Sequence, residues 1–319
     1  MAENSKIKIF LLLILLGVVV VWSMGRGSMD ISWMDLFRPE NQPVLFLRFF
    51  RVMLGVLIGA GLGVCGVALQ AILRNPLAEP YLLGTSSGAG LGAVLAVIGG
   101  LTGLTLPFAA FIGALLSVIL VYCLASEGGR IPVPSLILSG VIVAISLSGI
   151  MMFLISVSNN QALHGMMWWL LGSLQVYDPR LLTLVAGIVI AGGTVIFVLA
   201  QDLNAISVGE EEAVHLGISV ENIKKILFVV TTLITGALVS VSGMISFVGL
   251  IIPHMMRLIV GSNHKVLVPA AFLGGGIFLV LCDTLARTVF LPVEIPIGVV
   301  TSLLGAPIFM VLLKRSQRT

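Results

Sequence analysis

The sequence predicts an all-α fold, a polytopic membrane bundle of about ten transmembrane helices. Its mean hydropathy is +1.17, and 58% of its 319 residues are apolar whereas 10% are charged. A soluble domain has far more polar surface, so soluble classes of protein are excluded. The apolar residues form long runs rather than the short alternating segments of a membrane barrel, and a helix crosses the hydrocarbon with about 20 residues. We expect a single transmembrane domain over residues 1–319.

Ten apolar runs between polar breaks predict the individual spans. They cover residues 7–25, 48–72, 83–101, 105–125, 135–157, 180–200, 225–243, 245–260, 266–290 and 296–313. The run 245–260 is short for a crossing and contains Pro253, His254 and Arg257, so eight or nine spans are the alternative.

The distribution of Lys and Arg orients the bundle by the positive-inside rule. With the N-terminus in the cytoplasm, eleven basic residues are expected inside: Lys6, Lys8, Arg74, Arg130, Lys224, Lys225, Arg257, Lys265, Lys314, Arg315 and Arg318. The other six are expected outside: Arg26, Arg38, Arg48, Arg51, Arg180 and Arg287. Both termini and the loop 201–224 are then cytoplasmic.

The loop 201–224 contains three consecutive glutamates and has helix signals at both ends. Ser207 and Glu210 have the spacing of a capping box, Glu210–Glu212 would occupy the first turn, and Gly217 is a typical stop. The pattern predicts a short helix from about 208 to 216. Ser219 is expected to cap a second helix that leads into the next span.

Two uses of this loop are open from the residues alone, a hairpin on the membrane surface and a docking surface for another protein. Ala213, Val214 and Leu216 provide apolar contact area. The glutamates repel an anionic lipid leaflet, which favours the docking surface.

The segment 74–90 interrupts two apolar runs with Pro76 and Pro80, which cannot continue a helix. It is either a plain cytoplasmic turn or a constriction at the mouth of a pathway. Asn75 and Glu79 lie beside apolar residues and need protein or water partners, so a constriction is at least as well supported.

Gly84–Gly88 fits the G-x-S-x-G pattern of a nucleophile elbow, so an intramembrane serine hydrolase is one alternative. Small-residue runs in Gly-rich helices also produce this pattern, and only His254 is expected near a span. We therefore name no catalytic residue.

Two further observations limit the chemistry. The chain contains no Gly-Lys pair, hence no P-loop, so an ATP-driven role requires a separate ATPase. Asp283 and Glu294 are the only carboxylates expected within the spans, which disfavours an ion-coupled secondary transporter, the other alternative. The three cysteines form no C-x-x-C pair, and no metal site is predicted.

Arg48, Arg51 and Arg287 lie at the ends of spans on the predicted outer side, where the positive-inside rule expects few basic residues. One interpretation is that they snorkel to the interface. The other is a positive outer rim that receives an acidic partner. Asp283 and Arg287 are spaced to form an i, i+4 pair.

Four ordered motifs resemble those of the FecCD-type permeases, the membrane subunits of ABC importers for iron chelates, haem and vitamin B12. They are QAILRNPLAEPYLLG at 70–84, GEEEAVHLG at 209–217, FVGLIIPH at 247–254 and EIPIGVVTSLLGAP at 294–307. The resemblance runs over nearly the whole chain.

The resemblance implies a vitamin B12 permease-like fold of the type II ABC importers, in the cytoplasmic (inner) membrane. It implies as partners a second, identical or closely similar permease subunit, two ATPase subunits and an extracytoplasmic substrate-binding protein, and no nucleic acid. ATP would be used by the ATPase, with no cofactor on this subunit, which is not itself an enzyme.

The resemblance also implies roles for particular residues. The coupling helix against the ATPase would be Gly209–Gly217, with Gly209, Glu210, Glu211, Ala213, Leu216 and Gly217 at the contact. Arg48, Arg51 and Arg287 would meet carboxylates of the binding protein, and Asn75, Leu77, Val133 and Pro134 would form a cytoplasmic gate. Val133-Pro134 departs from the small hydroxyl residues of the vitamin B12 branch. A ferric siderophore is therefore the expected substrate, with vitamin B12 or haem as the alternative.

Overall fold

The computed structural model describes residues 2–27, 29, 31, 35, 38–128, 131–158 and 160–316. Within these residues the chain forms thirteen α-helices. They are α1 Ala2–Met24, α2 Gln42–Ile72, α3 Thr85–Ile98, α4 Thr105–Ala125, α5 Val133–Val157, α6 Asn160–Leu170, α7 Pro179–Val198, α8 Ala200–Val208, α9 Glu210–His215, α10 Val220–Ser242, α11 Val248–Val260, α12 His264–Thr288 and α13 Ile297–Ser316. Two 3-10 turns, Pro39–Asn41 and Pro80–Leu83, precede α2 and α3.

The helices agree with the predicted spans. Among the described residues, seven helices are long and apolar enough to cross a membrane, and α3, α11 and α13 are shorter apolar helices. Each of the ten predicted runs therefore contains one apolar helix. The run 245–260 holds the 13-residue α11, which is short for a crossing. Of the basic residues used for orientation, Arg130, Arg318 and the side chain of Arg315 lie outside the described part.

The helix α2 is the centre of the fold. Every residue from Ile58 to Ile72 is buried, which is the pattern of a helix surrounded by other helices. It packs against α7, α10, α11 and α12. A Cβ added at Gly59 would overlap the carbonyl oxygen of Gly275 in α12, and one added at Gly275 would overlap that of Gly59. The two backbones are thus in direct contact, as small residues allow between membrane helices.

The residues between α7 and α10 differ from the prediction. The chain continues after α7 into α8 with a break at Leu199, and α9 then begins at Glu210 rather than near 208. The helix α6 lies between the predicted spans 135–157 and 180–200. At 11 residues it is too short to give a span signal.

Different groups of charged residues lie at the two ends of α2. Arg51, Asp283 and Arg287 meet at one end of α2. At the other end Arg74 and Arg257 line one cavity. This grouping is the one that the predicted sidedness requires.

Candidate functional site

The short helix α9 has well-defined ends. Gly209 precedes it in an extended conformation (φ −178°, ψ 147°). After it, Gly217 adopts a left-handed conformation (φ +80°). The Gly217 N–H donates to the Val214 carbonyl (2.9 Å) and the Ile218 N–H donates to the Ala213 carbonyl (3.0 Å). These two bonds form a Schellman motif, so the prediction that Gly217 stops this helix is confirmed.

The predicted capping box at the start of α9 is wrong. Ser207 lies inside α8, where its hydroxyl donates to the Leu203 carbonyl at 2.7 Å. Without that hydroxyl the helix has no side-chain cap. The carboxylate of Glu212 instead folds back over Gly209, where an added Cβ would overlap it.

Two contacts fix α9 to the membrane-spanning bundle. Ala213 is fully buried in the main core. The Glu210 carboxylate pairs with the Lys224 ammonium at 2.7 Å, and Glu221 lies 3.5 Å from the same nitrogen. The side chain of Lys224 is only 7% exposed, so solvent screens this pair less than it would a surface pair. This ion pair ties α9 to α10.

The remaining residues of α9 face outward. Glu211 and Glu212 are exposed, and so are the apolar side chains of Val208, Val214 and Leu216 at 72%, 59% and 72%. Exposed acidic and apolar groups side by side suit contact with a protein surface better than contact with an anionic leaflet. Glu210 thus anchors the helix and Glu212 folds back over Gly209, whereas the exposed Glu211 points to where a partner would lie.

The four predicted gate residues lie in two segments. Asn75 accepts a hydrogen bond from the Leu77 N–H at 2.9 Å, which forms a tight turn after α2, and Leu77 is 47% exposed. Val133 is the first residue of α5 and is partly buried against the main core, whereas Pro134 is exposed. Leu77 and Pro134 both have exposed surface within the part of the chain that the structure describes.

A contact that sequence reasoning missed joins the segment 74–84 to the start of α11. Glu79 accepts from the Phe247 N–H at 2.9 Å, and the Tyr81 hydroxyl accepts from the Ile245 N–H at 3.3 Å. Burial raises the pKa of the Glu79 carboxyl, and the hydrogen bond from Phe247 offsets part of that rise. The only signal was the polar Glu79 among apolar residues, whose partner is distant in sequence.

The three predicted docking arginines are buried and bonded within the chain, so the interpretation as snorkelling side chains is wrong. Arg51 donates to Asp283 and to Glu294, each at 2.8 Å. Asp283 and Arg287 form the predicted i, i+4 pair at 3.2 Å. That pair is an ion pair without hydrogen-bond geometry.

Further bonds extend this cluster to α1. Arg287 donates to the carbonyl (3.0 Å) and the hydroxyl (2.6 Å) of Ser23. Arg48 donates to the carbonyls of Met24 (3.2 Å) and Met29 (2.7 Å). Arg48, Arg51, Asp283, Arg287 and Glu294 thus form one cluster, which contains three guanidinium groups and two carboxylates. We call it the outer ion cluster.

The G-x-S-x-G stretch at 84–88 does not form a nucleophile elbow. Residues 70–98 are all described, and they form the end of α2, a 3-10 turn and α3, with no strand. The hydroxyls of Ser87 (3.0 Å) and Ser117 (2.8 Å) both donate to the Gly84 carbonyl. These serines hold the turn against α3 and α4. The strand that a nucleophile elbow requires is missing here.

Comparison with known proteins gives consistent matches along the chain. The model of the FecCD transport family matches residues 12–315. The cobalamin import system permease protein of Halobacterium salinarum is 40% identical over 286 residues, which cover 86% of this chain and 75% of that protein. The Fe(3+)-citrate import system permease protein of Bacillus subtilis is 31% identical over 334 residues, which cover 99% of this chain and 97% of that protein.

A solved structure also matches the fold. A metal-chelate type ABC transporter in an inward-facing conformation superposes with a TM-score of 0.88 at 30% sequence identity. The match covers 97% of this chain and 99% of that chain. The arrangement of helices is thus shared over nearly the whole length of both chains.

Proposed function

The chain belongs to the FecCD transport family, and on that premise we propose that it forms the membrane pathway through which an ABC importer takes up a ferric siderophore. The observation that carries the proposal is the superposition on a metal-chelate type ABC transporter over 97% of the chain. A ferric siderophore is a large chelate, so a pathway built from two subunits suits it better than a narrow channel.

Vitamin B12 is the second candidate substrate, favoured by the 40% identity to a cobalamin import permease. The substrate is tested by purifying the extracytoplasmic binding protein with which this permease assembles and titrating it with ferric siderophores, haem and cobalamin. Uptake by vesicles that contain the whole transporter should follow the same ligand. Uptake of cobalamin with none of any ferric siderophore would replace the first candidate by the second.

The proposed assembly contains this subunit, a second identical or closely similar permease, two ATPase subunits in the cytoplasm and the binding protein outside. ATP is bound by the ATPase, and no cofactor is assigned to this chain. Both termini lie in the cytoplasm. Asn75, Leu77, Val133 and Pro134 face the pathway at its cytoplasmic end, where Leu77 and Pro134 have the exposed surface for closing it.

The helix α9 couples the permease to the ATPase in this proposal, and its residues have different roles. Glu210 and Ala213 hold the helix on the bundle, and Gly209 and Gly217 define its ends. Glu211 and Leu216 contact the ATPase. The support is the burial of Ala213 and the ion pair between Glu210 and Lys224, together with the exposure of the other two side chains.

Charge reversal at two neighbouring glutamates separates these roles. In Glu210→Lys, two ammonium groups face each other, so we expect a lower unfolding midpoint and weaker stimulation of the ATPase by the loaded binding protein. The double variant Glu210→Lys/Lys224→Glu restores the ion pair and should recover both. Glu211→Lys should keep the unfolding midpoint and lose the stimulation. Normal stimulation in Glu211→Lys and in Leu216→Ala would remove the support for coupling through α9.

The outer ion cluster attracts the binding protein in the proposed function. The three guanidinium groups of Arg48, Arg51 and Arg287 favour a partner surface with carboxylates. The affinity for the binding protein should fall as salt is raised. Arg48→Gln should reduce this salt dependence, because it removes one positive charge while Arg51 still donates to both carboxylates of the cluster. An affinity that is independent of salt would contradict electrostatic docking.

A further inference from the structure

A polar cavity of about 760 Å³ lies beside α9, at the end of α2 opposite the outer ion cluster. Its walls come from the end of α2 and the following turn, from the end of α8, and from α11 and the turn before α12. Its charged residues are Arg74 and Arg257, and its other polar residues include Ser207, Asn263 and His264. All of the residues that line it are described, and none is a carboxylate.

The two guanidinium groups of this cavity have only neutral partners. Arg257 donates to the Gln70 side-chain oxygen at 2.7 Å. Arg74 donates to the Val208 carbonyl at 3.4 Å, a long bond on an exposed side chain. The cavity therefore has two positive charges and no internal counter-charge, which is the electrostatic complement of a carboxylate or a phosphate.

The backbone conformation of Arg74 is unfavourable for a residue that has a side chain. It has a φ of +46°, and its N–H and that of Asn75 donate to the carbonyls of Ala71 and Gln70. This is the Schellman position after a helix, which glycine usually occupies. A residue with a side chain costs about 1 kcal/mol there. An outlier of this kind supports a role for the side chain rather than for the backbone.

The cavity lies next to the coupling helix. Val208 lines the cavity, accepts the bond from Arg74 and is followed by Gly209, the residue before α9. A protein that covers the exposed face of α9 would also reach the cavity. A lipid headgroup has the same anionic chemistry, but the exposed acidic face of α9 beside the cavity disfavours an anionic leaflet.

From these observations we propose that the cavity between α2, α8 and α11 is a second docking site for the ATPase subunit and receives one of its acidic side chains. This inference rests on the proposed function. Together with α9 it gives the ATPase two contacts of opposite charge, since α9 presents carboxylates and the cavity presents guanidinium groups. Such a pair fixes the orientation of the partner as well as its affinity.

The test measures the affinity of the purified permease for its ATPase subunit at several salt concentrations. Arg74→Gly removes the charge and relieves the backbone, so its unfolding midpoint should be unchanged or higher. We expect roughly tenfold weaker association for Arg74→Gly and for Arg257→Gln, and a weaker dependence on salt. Arg74→Lys keeps the charge at the same backbone conformation and should retain most of the affinity. Lys314→Gln, which removes an exposed charge on α13, is the matched control.

Other outcomes would overturn either the inference or the proposed function. If Arg74→Gly and Arg257→Gln bind the ATPase as tightly as Lys314→Gln does, the inference is wrong. A second contrary result has two parts: Arg74→Gly leaves ATPase binding unaltered, and it lowers the unfolding midpoint in nanodiscs of phosphatidylglycerol but not of phosphatidylcholine. The cavity would then bind a lipid headgroup, and the inference would again be wrong. If the wild-type permease binds no ATPase at all, the proposed function itself fails.

Discussion

Among single residues, Asp283 has the largest expected effect on stability. Its carboxylate accepts from Arg51 and faces Arg287, and both Asp283 and Arg287 are almost completely buried. In Asp283→Asn the two guanidinium groups lose their shared counter-charge in a buried site. Breaking a buried ion pair on one side costs about 3–5 kcal/mol. We therefore expect a strongly lowered unfolding midpoint of the purified protein in detergent.

The control for this change is Asp35→Asn. Asp35 pairs with Arg38 at 3.0 Å, but the two side chains are 41% and 66% exposed. An exposed pair contributes less than about 1 kcal/mol. Equal midpoints for the two variants would mean that the outer ion cluster does not hold α1, α2 and α12 together.

Glu79 is expected to make stability depend on pH. Burial raises the pKa of its carboxyl, so the folded protein binds this proton more tightly than the unfolded chain does. The resulting stabilisation is complete below the ordinary pKa of glutamate and is lost as the pH rises through the raised value. Glu79→Gln keeps an acceptor for the Phe247 N–H and removes the titration. Compared with the wild type, this variant should gain relative stability as the pH rises from about 4 to 8.

Unfolding midpoints across that pH range measure the difference between the two proteins. Parallel curves for the wild type and Glu79→Gln would contradict a raised pKa at this position. Glu79→Ala leaves the Phe247 N–H without its acceptor and should be less stable than Glu79→Gln by about 1–3 kcal/mol.

Single residues also show where sequence reasoning succeeds and where it stops. Gly217 is predictable because a helix stop depends on one residue and its neighbours. Ser207 is not, because a capping box and a hydroxyl bonded inside the preceding helix use the same residue types, and the extent of α8 decides between them. The pairing of Glu210 with Lys224 needs the distance between α9 and α10, which spacing alone does not give.

Among the elements, α2 and α12 form a contact that is sensitive to added volume. In Gly59→Ala the new Cβ would overlap the Gly275 carbonyl oxygen, and backbone cannot move aside as a flexible side chain can. Overpacking of a tight core costs about 1–3 kcal/mol, so the unfolding midpoint should fall. Gly187→Ala in α7 is the matched control, because nothing lies within 4 Å of its added Cβ. Alanine favours a helix over glycine, so Gly187→Ala should be neutral or slightly stabilising.

A Gly59→Ala protein as stable as Gly187→Ala would show that α2 and α12 are less closely packed than described here. A second variant, Gly275→Ala, tests the same contact from the other helix and should behave as Gly59→Ala does. The double variant should cost less than the sum of the two single changes, because both disturb one contact.

The helices themselves were largely predictable, because a run of about 20 apolar residues has few alternatives in a membrane chain. The limits of the prediction are at the short elements. Helices α6, α8 and α9 have 11, 9 and 6 residues, and their ends are fixed by packing against other helices rather than by a length that the bilayer imposes. The contact of Glu79 with the start of α11 likewise depends on how distant segments pack, so the sequence alone does not predict it.

At the scale of the whole molecule, the two ends of α2 have different physical characters. One end is closed by the outer ion cluster, which binds α1, α2, α12 and the segment before α13 through buried charges. The other end presents the exposed face of α9 and the polar cavity beside it. A partner that moves α9 would shift α10 through Lys224, while the outer ion cluster holds the far end of the bundle in place.

The orientation of the whole molecule in the membrane can be tested with two exposed basic residues. Arg180 and Lys265 are both exposed, and the positive-inside rule puts Arg180 outside and Lys265 in the cytoplasm. Each is changed to Cys in a protein in which the exposed Cys123 is replaced by Ser, which leaves the buried Cys65 and Cys282. In intact cells a membrane-impermeant maleimide should label Arg180→Cys, and it should label Lys265→Cys only after the cells are permeabilised. The reverse pattern would turn α9 away from the cytoplasm, and coupling to a cytoplasmic ATPase through Glu211 and Leu216 would then be impossible.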